Sequence, residues 1–120
     1  MRLSIIALST VALFTTTAAV AAPARTTDVE YLRASRCAGL ASAGGLEASD
    51  AAALRAYVRA QELSRGPAIL ARGQSEADKA RRQIFRGGDA AARLQAELSG
   101  PCMSVVAAAR GADQAASGRD

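Results

Sequence analysis

The segment Tyr31-Leu-Arg-Ala-Ser-Arg-Cys-Ala-Gly-Leu-Ala41 decides the fold. It contains Cys37, one of only two cysteines in the chain. When the segment is drawn as a helix, small and apolar side chains lie nearly all the way round it. A helix of this kind is buried in a bundle, with other helices packed against it. The sequence therefore predicts that this segment is the middle of the first helix of the folded chain.

The predicted fold class is all-α, a small bundle of about four helices, and the sequence contains no strand signal. The helices are predicted at approximately residues 27–43, 49–65, 75–99 and 101–111. Residues from about 112 onward are small and polar, and we expect a frayed C-terminal tail there.

Local signals set most of these helix boundaries. Thr27-Asp-Val-Glu30 has the spacing of a capping box, in which the first and fourth residues cap each other's backbone. Gly44-Gly45 is expected to end this helix. Ser49-Asp50 is expected to cap the second helix. At Gly100-Pro101 one helix ends and the last begins, because proline is well tolerated at the first helical position.

The third helix is predicted to begin at Ser75, after a short turn at residues 68–72 for which a helical conformation is also open. Two consecutive glycines, Gly87-Gly88, fall inside it and each costs about 1 kcal/mol in a helix interior. The apolar side chains nevertheless keep one helical phase on both sides of the glycines, with Ile84 and Leu98 two heptads apart. The glycine pair is compatible with a break, but the spacing favours one long helix that is weakened in its middle.

The first 21 residues have the features of a secretory signal peptide. Arg2 provides a positive start, Leu3–Phe14 is an apolar run, and Ala19-Val20-Ala21 fits the small-residue rule for cleavage. An uncleaved membrane anchor is the weaker reading, because a membrane span needs about 20 strongly apolar residues. We expect a cleaved, exported protein, periplasmic or secreted, whose residues 22–120 form a single small helical domain.

The composition of the cleaved chain predicts a thin core. Of its 99 residues only 15 are Leu, Ile, Val or Phe, whereas 26 are Ala. Alanine favours helices and lets them approach closely, but it buries little apolar area. A domain of this size and composition is expected to need a covalent link in addition to its core.

The two cysteines are predicted to supply that link. Two cysteines in a short exported chain indicate a disulfide. Cys102 lies on the apolar stripe of the last helix and Cys37 lies on the first helix, so a bond between them would join the two ends of the bundle. The alternatives are unpaired or intermolecular thiols and a redox-active pair, but catalytic dithiols usually lie close together as C-x-x-C.

The residues needed for most enzyme chemistry are missing from the sequence. There is no histidine, which excludes His-based nucleophile systems and most zinc sites. Neither of the glycine-rich phosphate-binding motifs is present. Glu76 and Asp78 are explained by the first turn of a helix, where carboxylates are stabilised by the helix dipole. We therefore expect a non-enzymatic protein with no cofactor and no metal.

The arginines carry the only other functional signal. The cleaved chain has 14 Lys and Arg against 11 Asp and Glu, which is mildly basic. If neighbouring in space, five arginines on the second and third helices would form a patch for lipid headgroups or an acidic protein surface. These candidates are Arg55, Arg59, Arg81, Arg82 and Arg86. A solvated helix face is the competing explanation, and nucleic acid is not expected because stacking aromatic residues are few.

Arg36 is a separate case, because it falls among Val29, Leu32 and Leu40 on the first helix. Its side chain either reaches along this apolar strip to water or pairs with a carboxylate, and we favour the first.

These observations predict a small exported helical protein that binds another component of the cell envelope. A periplasmic stress chaperone and an anionic-surface binder are the alternatives. Acid-stress chaperones of the periplasm share the small size, the helical fold and the single disulfide, although no motif in this chain supports membership of such a family. Nothing in the sequence indicates a homo-oligomer.

Overall fold

The computed structural model describes residues 26–118, so the predicted signal peptide at residues 1–21 lies outside the described residues. The described chain forms five α-helices and no strand. They are α1 (Asp28–Ala41), α2 (Ala48–Glu62), α3 (Pro67–Phe85), α4 (Gly88–Ser99) and α5 (Pro101–Ser117). The predicted all-α bundle is confirmed, and the predicted third helix is divided in two.

The helix α1 is the centre of the bundle, since it contacts each of the other four helices. Its N-terminus has the predicted capping box. The backbone N–H of Thr27 donates to Glu30 Oε2 at 2.7 Å, and the backbone N–H of Glu30 donates to Thr27 Oγ1 at 3.2 Å. Seven of its residues are buried: Tyr31, Ala34, Ser35, Cys37, Gly39, Leu40 and Ala41. The prediction that this segment has helices packed around it is confirmed.

The disulfide between Cys37 and Cys102 is present and joins α1 to α5, as predicted. The two Cα atoms are 5.7 Å apart, and the bond spans 65 residues of sequence. Both cysteines are buried in the middle of the hydrophobic core, which collects residues from all five helices. The core members are Cys37, Leu40, Ala41, Leu54, Ala80, Ile84, Leu94, Leu98, Cys102 and Val106.

The prediction of one helix over residues 75–99 is wrong at both its start and its middle. The helix begins at Pro67, because the segment expected to be a short turn continues directly into it. It ends at Phe85, and Gly87 and Gly88 both have φ of 72°. This left-handed backbone is readily available only to glycine and interrupts a right-handed helix. The apolar phase is preserved because both α3 and α4 turn one face to the same core.

The second helix differs from its prediction in how it is capped. It begins one residue earlier than expected, after Glu47, and no side chain caps its N-terminus. Asp50, expected to act as a cap with Ser49, is instead buried and faces Arg110 of α5, with 2.8 Å between Asp50 Oδ1 and Arg110 Nε. This ion pair joins α2 to α5, which are the second most extensively packed pair of helices.

The last helix is longer than predicted. Residues 112–117, expected to lie in a frayed tail, continue α5 to Ser117. Alanines from this half of α5 and from α2 line a shared groove of about 220 Å³. Packing beside α2 and the high helix propensity of alanine explain why the helix does not stop at Gly111.

Candidate functional site

The helix α3 lies against α1 through two glycine contacts. A β-carbon at Gly39 of α1 would stand only 2.3 Å from the carbonyl oxygen of Ala77, so the two backbones approach closely there. The ring of Tyr31 covers Gly73 in the same way, at 2.7 Å from where a β-carbon would stand. These contacts hold one side of α3 against the bundle and leave the other side in solvent.

The solvent side of α3 carries four cations, which we call the α3 basic face: Arg72, Lys79, Arg82 and Arg86. At 100° per residue these positions fall within an arc of about 80° on the helix. They lie away from Ala80 and Ile84, which are buried in the core. All four residues of the α3 basic face are exposed. From Arg72 to Arg86 they extend over 14 residues, or about 21 Å of helix.

The α3 basic face is not neutralised by the carboxylates of its own helix. Among residues 26–118, none of its four cations forms an ion pair. Asp78 lies closest to the solvent side, but it accepts a hydrogen bond from Arg81 at 3.2 Å. Glu76 lies towards the interior and is 4.0 Å from Arg36 of α1. The face therefore keeps its positive charge in the folded protein.

Phe85 lies outside the arc of the α3 basic face, about 60° beyond Arg82 on the same helical projection. The residue is 71% exposed, which is unusual for a large aromatic residue. It is the last residue of α3 and has cations on either side, Arg82 one turn earlier and Arg86 next in sequence. The chain then leaves the helix through the two positive-φ glycines. The end of α3 thus presents an aromatic ring and two arginines together to solvent.

The structure brings together only part of the predicted arginine patch. Arg82 and Arg86 belong to the α3 basic face. Arg81 is partly engaged, since its Nε donates to Ser42 Oγ at 3.0 Å. Arg55 and Arg59 are exposed on α2, which packs against α1 and α5, whereas α3 packs against α1 and α4. The described contacts do not bring these two arginines to the α3 basic face.

Arg72 was missed because the predicted third helix began only at Ser75, whereas Lys79 lies within that predicted helix and was not grouped with the arginines. Their signal is nevertheless in the sequence, since Arg72, Lys79 and Arg86 are spaced seven residues apart. Residues at this spacing share one side of a helix, so a helix extended to Pro67 places all three on that side.

The prediction that Arg36 reaches water along an apolar strip is wrong. Its Nε and Nη2 donate to the two carboxylate oxygens of Glu97, at 2.6 Å and 3.0 Å. This two-fold hydrogen bond raises the pKa of Arg36, against the opposing effect of partial burial. Two parallel hydrogen bonds between a guanidinium and a carboxylate are a strong and directional contact, so Arg36 links α1 to α4.

A second arginine, Arg65, fastens the turn between α2 and α3 to the start of α1. Its guanidinium pairs with Asp28 at 2.5 Å and donates to the backbone carbonyl of Thr26. It also lies over the ring of Tyr31, with 5.5 Å from Arg65 Cζ to the ring centroid. Arg65 and Arg36 are thus engaged inside the bundle, in contrast to the cations of the α3 basic face.

Two further results concern the described part of the chain. Within residues 26–118, no group of three or more His, Cys, Asp or Glu side chains is arranged to hold a metal ion. None of the five helices is both long enough and apolar enough to cross a membrane.

Comparison of the sequence with protein-family models and with curated proteins found no match, and comparison of the fold with solved structures found none either.

Proposed function

We propose that this chain is an exported, non-enzymatic binding protein of the cell envelope that binds through the α3 basic face. The signal peptide predicted at residues 1–21 supports export to the periplasm or the medium. The buried disulfide between Cys37 and Cys102 also supports it, because such bonds persist in oxidising compartments.

The observation that carries the proposal is the set of four unpaired cations on one side of α3. Surface cations on helices are commonly balanced by carboxylates three or four residues away. On α3 the two carboxylates that could do this, Glu76 and Asp78, face Arg36 and Arg81 instead. The remaining positive charge is concentrated on the side of the helix that meets solvent, where an anionic partner can approach.

Cell fractionation of the full chain, expressed with its own signal peptide in a bacterium with an outer membrane, tests this proposal. We expect the cleaved protein to sediment with the envelope at low salt and to be released by 1 M NaCl, because salt screens attraction between exposed charges. In the face variant, Arg72, Lys79, Arg82 and Arg86 are all changed to Gln, and we expect this variant to stay in the soluble fraction even at low salt.

A control variant removes an equal number of positive charges from exposed positions outside α3. In it, Arg33, Arg55, Arg59 and Arg93 are changed to Gln. It has the same net charge as the face variant and should sediment like the wild type. Equal release of both variants would show that net charge alone decides retention, and release of the wild type at low salt would show that the envelope is not bound. Either result contradicts the proposal.

The inter-helical ion pairs favour a second candidate function, that of a stress chaperone. Three carboxylates on different helices each pair with an arginine elsewhere in the bundle: Asp28 with Arg65, Glu97 with Arg36 and Asp50 with Arg110. Conditions that break such pairs loosen the packing of many small proteins and expose their apolar residues, which could then bind clients.

Light scattering of a denaturing client protein at neutral and acidic pH tests this second function. A chaperone of this kind suppresses client aggregation only after acidification. The chaperone function is contradicted if the protein does not suppress client aggregation at acidic pH. Circular dichroism of the same sample must show that the bundle has loosened.

A further inference from the structure

We propose that the partner of the α3 basic face is the surface of an anionic phospholipid bilayer, with Phe85 inserted among the headgroups. This inference rests on the proposed function and names the partner class. It follows from the shape of the face, from the exposed ring and from the way in which α3 is held.

The shape of the α3 basic face fits a flat, repeating anionic surface. A straight helix places cations that share an 80° arc in one plane, so all four can reach lipid phosphates at the same time. The solvent-side positions between and before them are occupied by small residues, Ala68, Ala71 and Ser75. These side chains let the helix backbone approach the headgroups closely.

Phe85 supplies the apolar part of the contact. Aromatic residues beside lysine and arginine are typical of helices that lie in the membrane interface, with the ring at the boundary between headgroups and acyl chains. Phe85 stands at the end of α3, where Gly87 and Gly88 turn the chain away from the helix. Nothing that follows in the described chain covers the ring, and 71% of it meets solvent.

A folded acidic protein fits this face less well. Such a partner would bury Phe85 in a pocket of its own or insert a side chain into a groove of this protein. Four grooves are found in the described residues, and two of them take residues from α3, such as Gln83 and Gly73. None is lined by a cation of the α3 basic face or by Phe85. The exposed side of α3 carries the four cations, Phe85 and the ion-paired Asp78 and Arg81, and none of these lines a groove.

The helix is also held in a form that needs no folding step on the membrane. Its backbone lies directly on that of α1 at Gly39 and Ala77. The Cys37–Cys102 bond keeps α1 within the bundle. The four cations are therefore arranged before contact, so binding does not require the ordering that weakens unstructured basic segments.

Co-sedimentation of purified residues 22–120, with the disulfide intact, measures the binding. The vesicles contain phosphatidylglycerol and phosphatidylcholine in equal amounts, and vesicles of phosphatidylcholine alone serve for comparison. Each lysine or arginine near an anionic bilayer strengthens partitioning about fivefold. We expect the face variant to bind the anionic vesicles at least a hundredfold more weakly than the wild type, while the control variant retains most of the affinity.

The position of the ring is measured with Phe85→Trp, because the chain has no tryptophan and the new residue is the only one to report. We expect its emission to shift to shorter wavelength with anionic vesicles and to be quenched by lipids brominated near the headgroup. Binding without any shift or quenching would overturn the insertion of this ring.

The experiments distinguish a failure of the bilayer proposal from a failure of the proposed function. If the wild type does not bind anionic vesicles but the face variant alone loses envelope retention in cells, the bilayer is the wrong partner and an acidic macromolecule is bound instead. If retention in cells is also unaffected by the face variant, the proposed function itself is wrong. Circular dichroism of each variant confirms that a lost signal does not come from unfolding.

Discussion

A single methyl group added at Gly39 should separate α1 from α3 and destabilise the whole domain. Gly39 is buried in the last turn of α1, at the point where this helix meets the backbone of Ala77. The substitution Gly39→Ala introduces the smallest side chain possible and no polar atom. Its effect therefore measures how closely the two helices pack.

The geometry sets the size of the effect. The new β-carbon would stand 2.3 Å from the carbonyl oxygen of Ala77 and 2.7 Å from its Cα. Comfortable contacts between such atoms are about 3.5 Å, so α3 must move by about 1 Å. The obstructing atoms belong to the backbone, and a change of rotamer cannot relieve them. Overpacking of this kind costs about 3 kcal/mol, and the better helix propensity of alanine returns about 1 kcal/mol. The expected net loss is about 2 kcal/mol.

Urea unfolding followed by far-ultraviolet circular dichroism measures this loss. The matched control is Gly111→Ala in α5, where a β-carbon would meet no atom within 4 Å. There we expect a gain of about 0.5–1 kcal/mol from helix propensity alone. The same substitution should thus have opposite signs at the two positions. A Gly39→Ala protein as stable as the wild type would refute the close α1–α3 contact.

Three other perturbations test the remaining contacts. Changing both Cys37 and Cys102 to Ala, or reducing the bond, should lower the free energy of unfolding by about 4 kcal/mol, since the bond closes a loop of about 65 residues; an unchanged urea midpoint would contradict this. Glu97→Gln should cost about 1 kcal/mol because the pair with Arg36 is partly solvated, and a double-mutant cycle with Arg36→Gln should show coupling between the two side chains. Hydrogen bonds from the N-cap residue of α1 lower the pKa of Glu30, so this carboxylate stabilises the fold above the ordinary range for Glu and loses its effect as the pH falls through the lowered pKa. Unfolding curves between pH 6 and pH 2 should therefore show a smaller loss of stability for Glu30→Gln than for the wild type, and parallel losses would show that Glu30 does not contribute.

The features that depend on neighbouring residues could be predicted from the sequence. The capping box at Thr27 and Glu30 is a contact between residues three apart, and the structure has it as predicted. The disulfide was predictable for a different reason. The chain contains only two cysteines, so if it is exported, as predicted, there is one way to pair them within the chain.

The features that depend on distant residues could not be predicted in this way. Arg36 finds Glu97, which is 61 positions further along the chain, only because α4 packs on α1. The start of α3 was missed because residues 68–72 were interpreted as a short turn. The helix continues through Gly73, where the ring of Tyr31 leaves no room for a side chain. Glycine inside a helix can mark close packing as well as an end, and the sequence alone does not tell the two apart.

Only part of the α3 basic face was predicted, because membership of the face depends on where the helix begins and on contacts with distant residues. Its last turn, Arg82 and Arg86, lies within the predicted helix, but Arg72 lies before the predicted start. Whether a cation on a helix is already paired also depends on distant residues, as Arg36 shows. The sequence could identify candidate cations, and only the fold separates those engaged inside the bundle from those left facing solvent.

The intact mass of the protein recovered from the exported fraction tests the central claim, that the chain is secreted and closed by one covalent bond. We predict the mass of residues 22–120 less two hydrogens, with no uptake of a thiol-alkylating reagent until the sample is reduced. After reduction, two cysteines should be alkylated. A mass that retains residues 1–21, or two cysteines alkylated without reduction, would contradict the account.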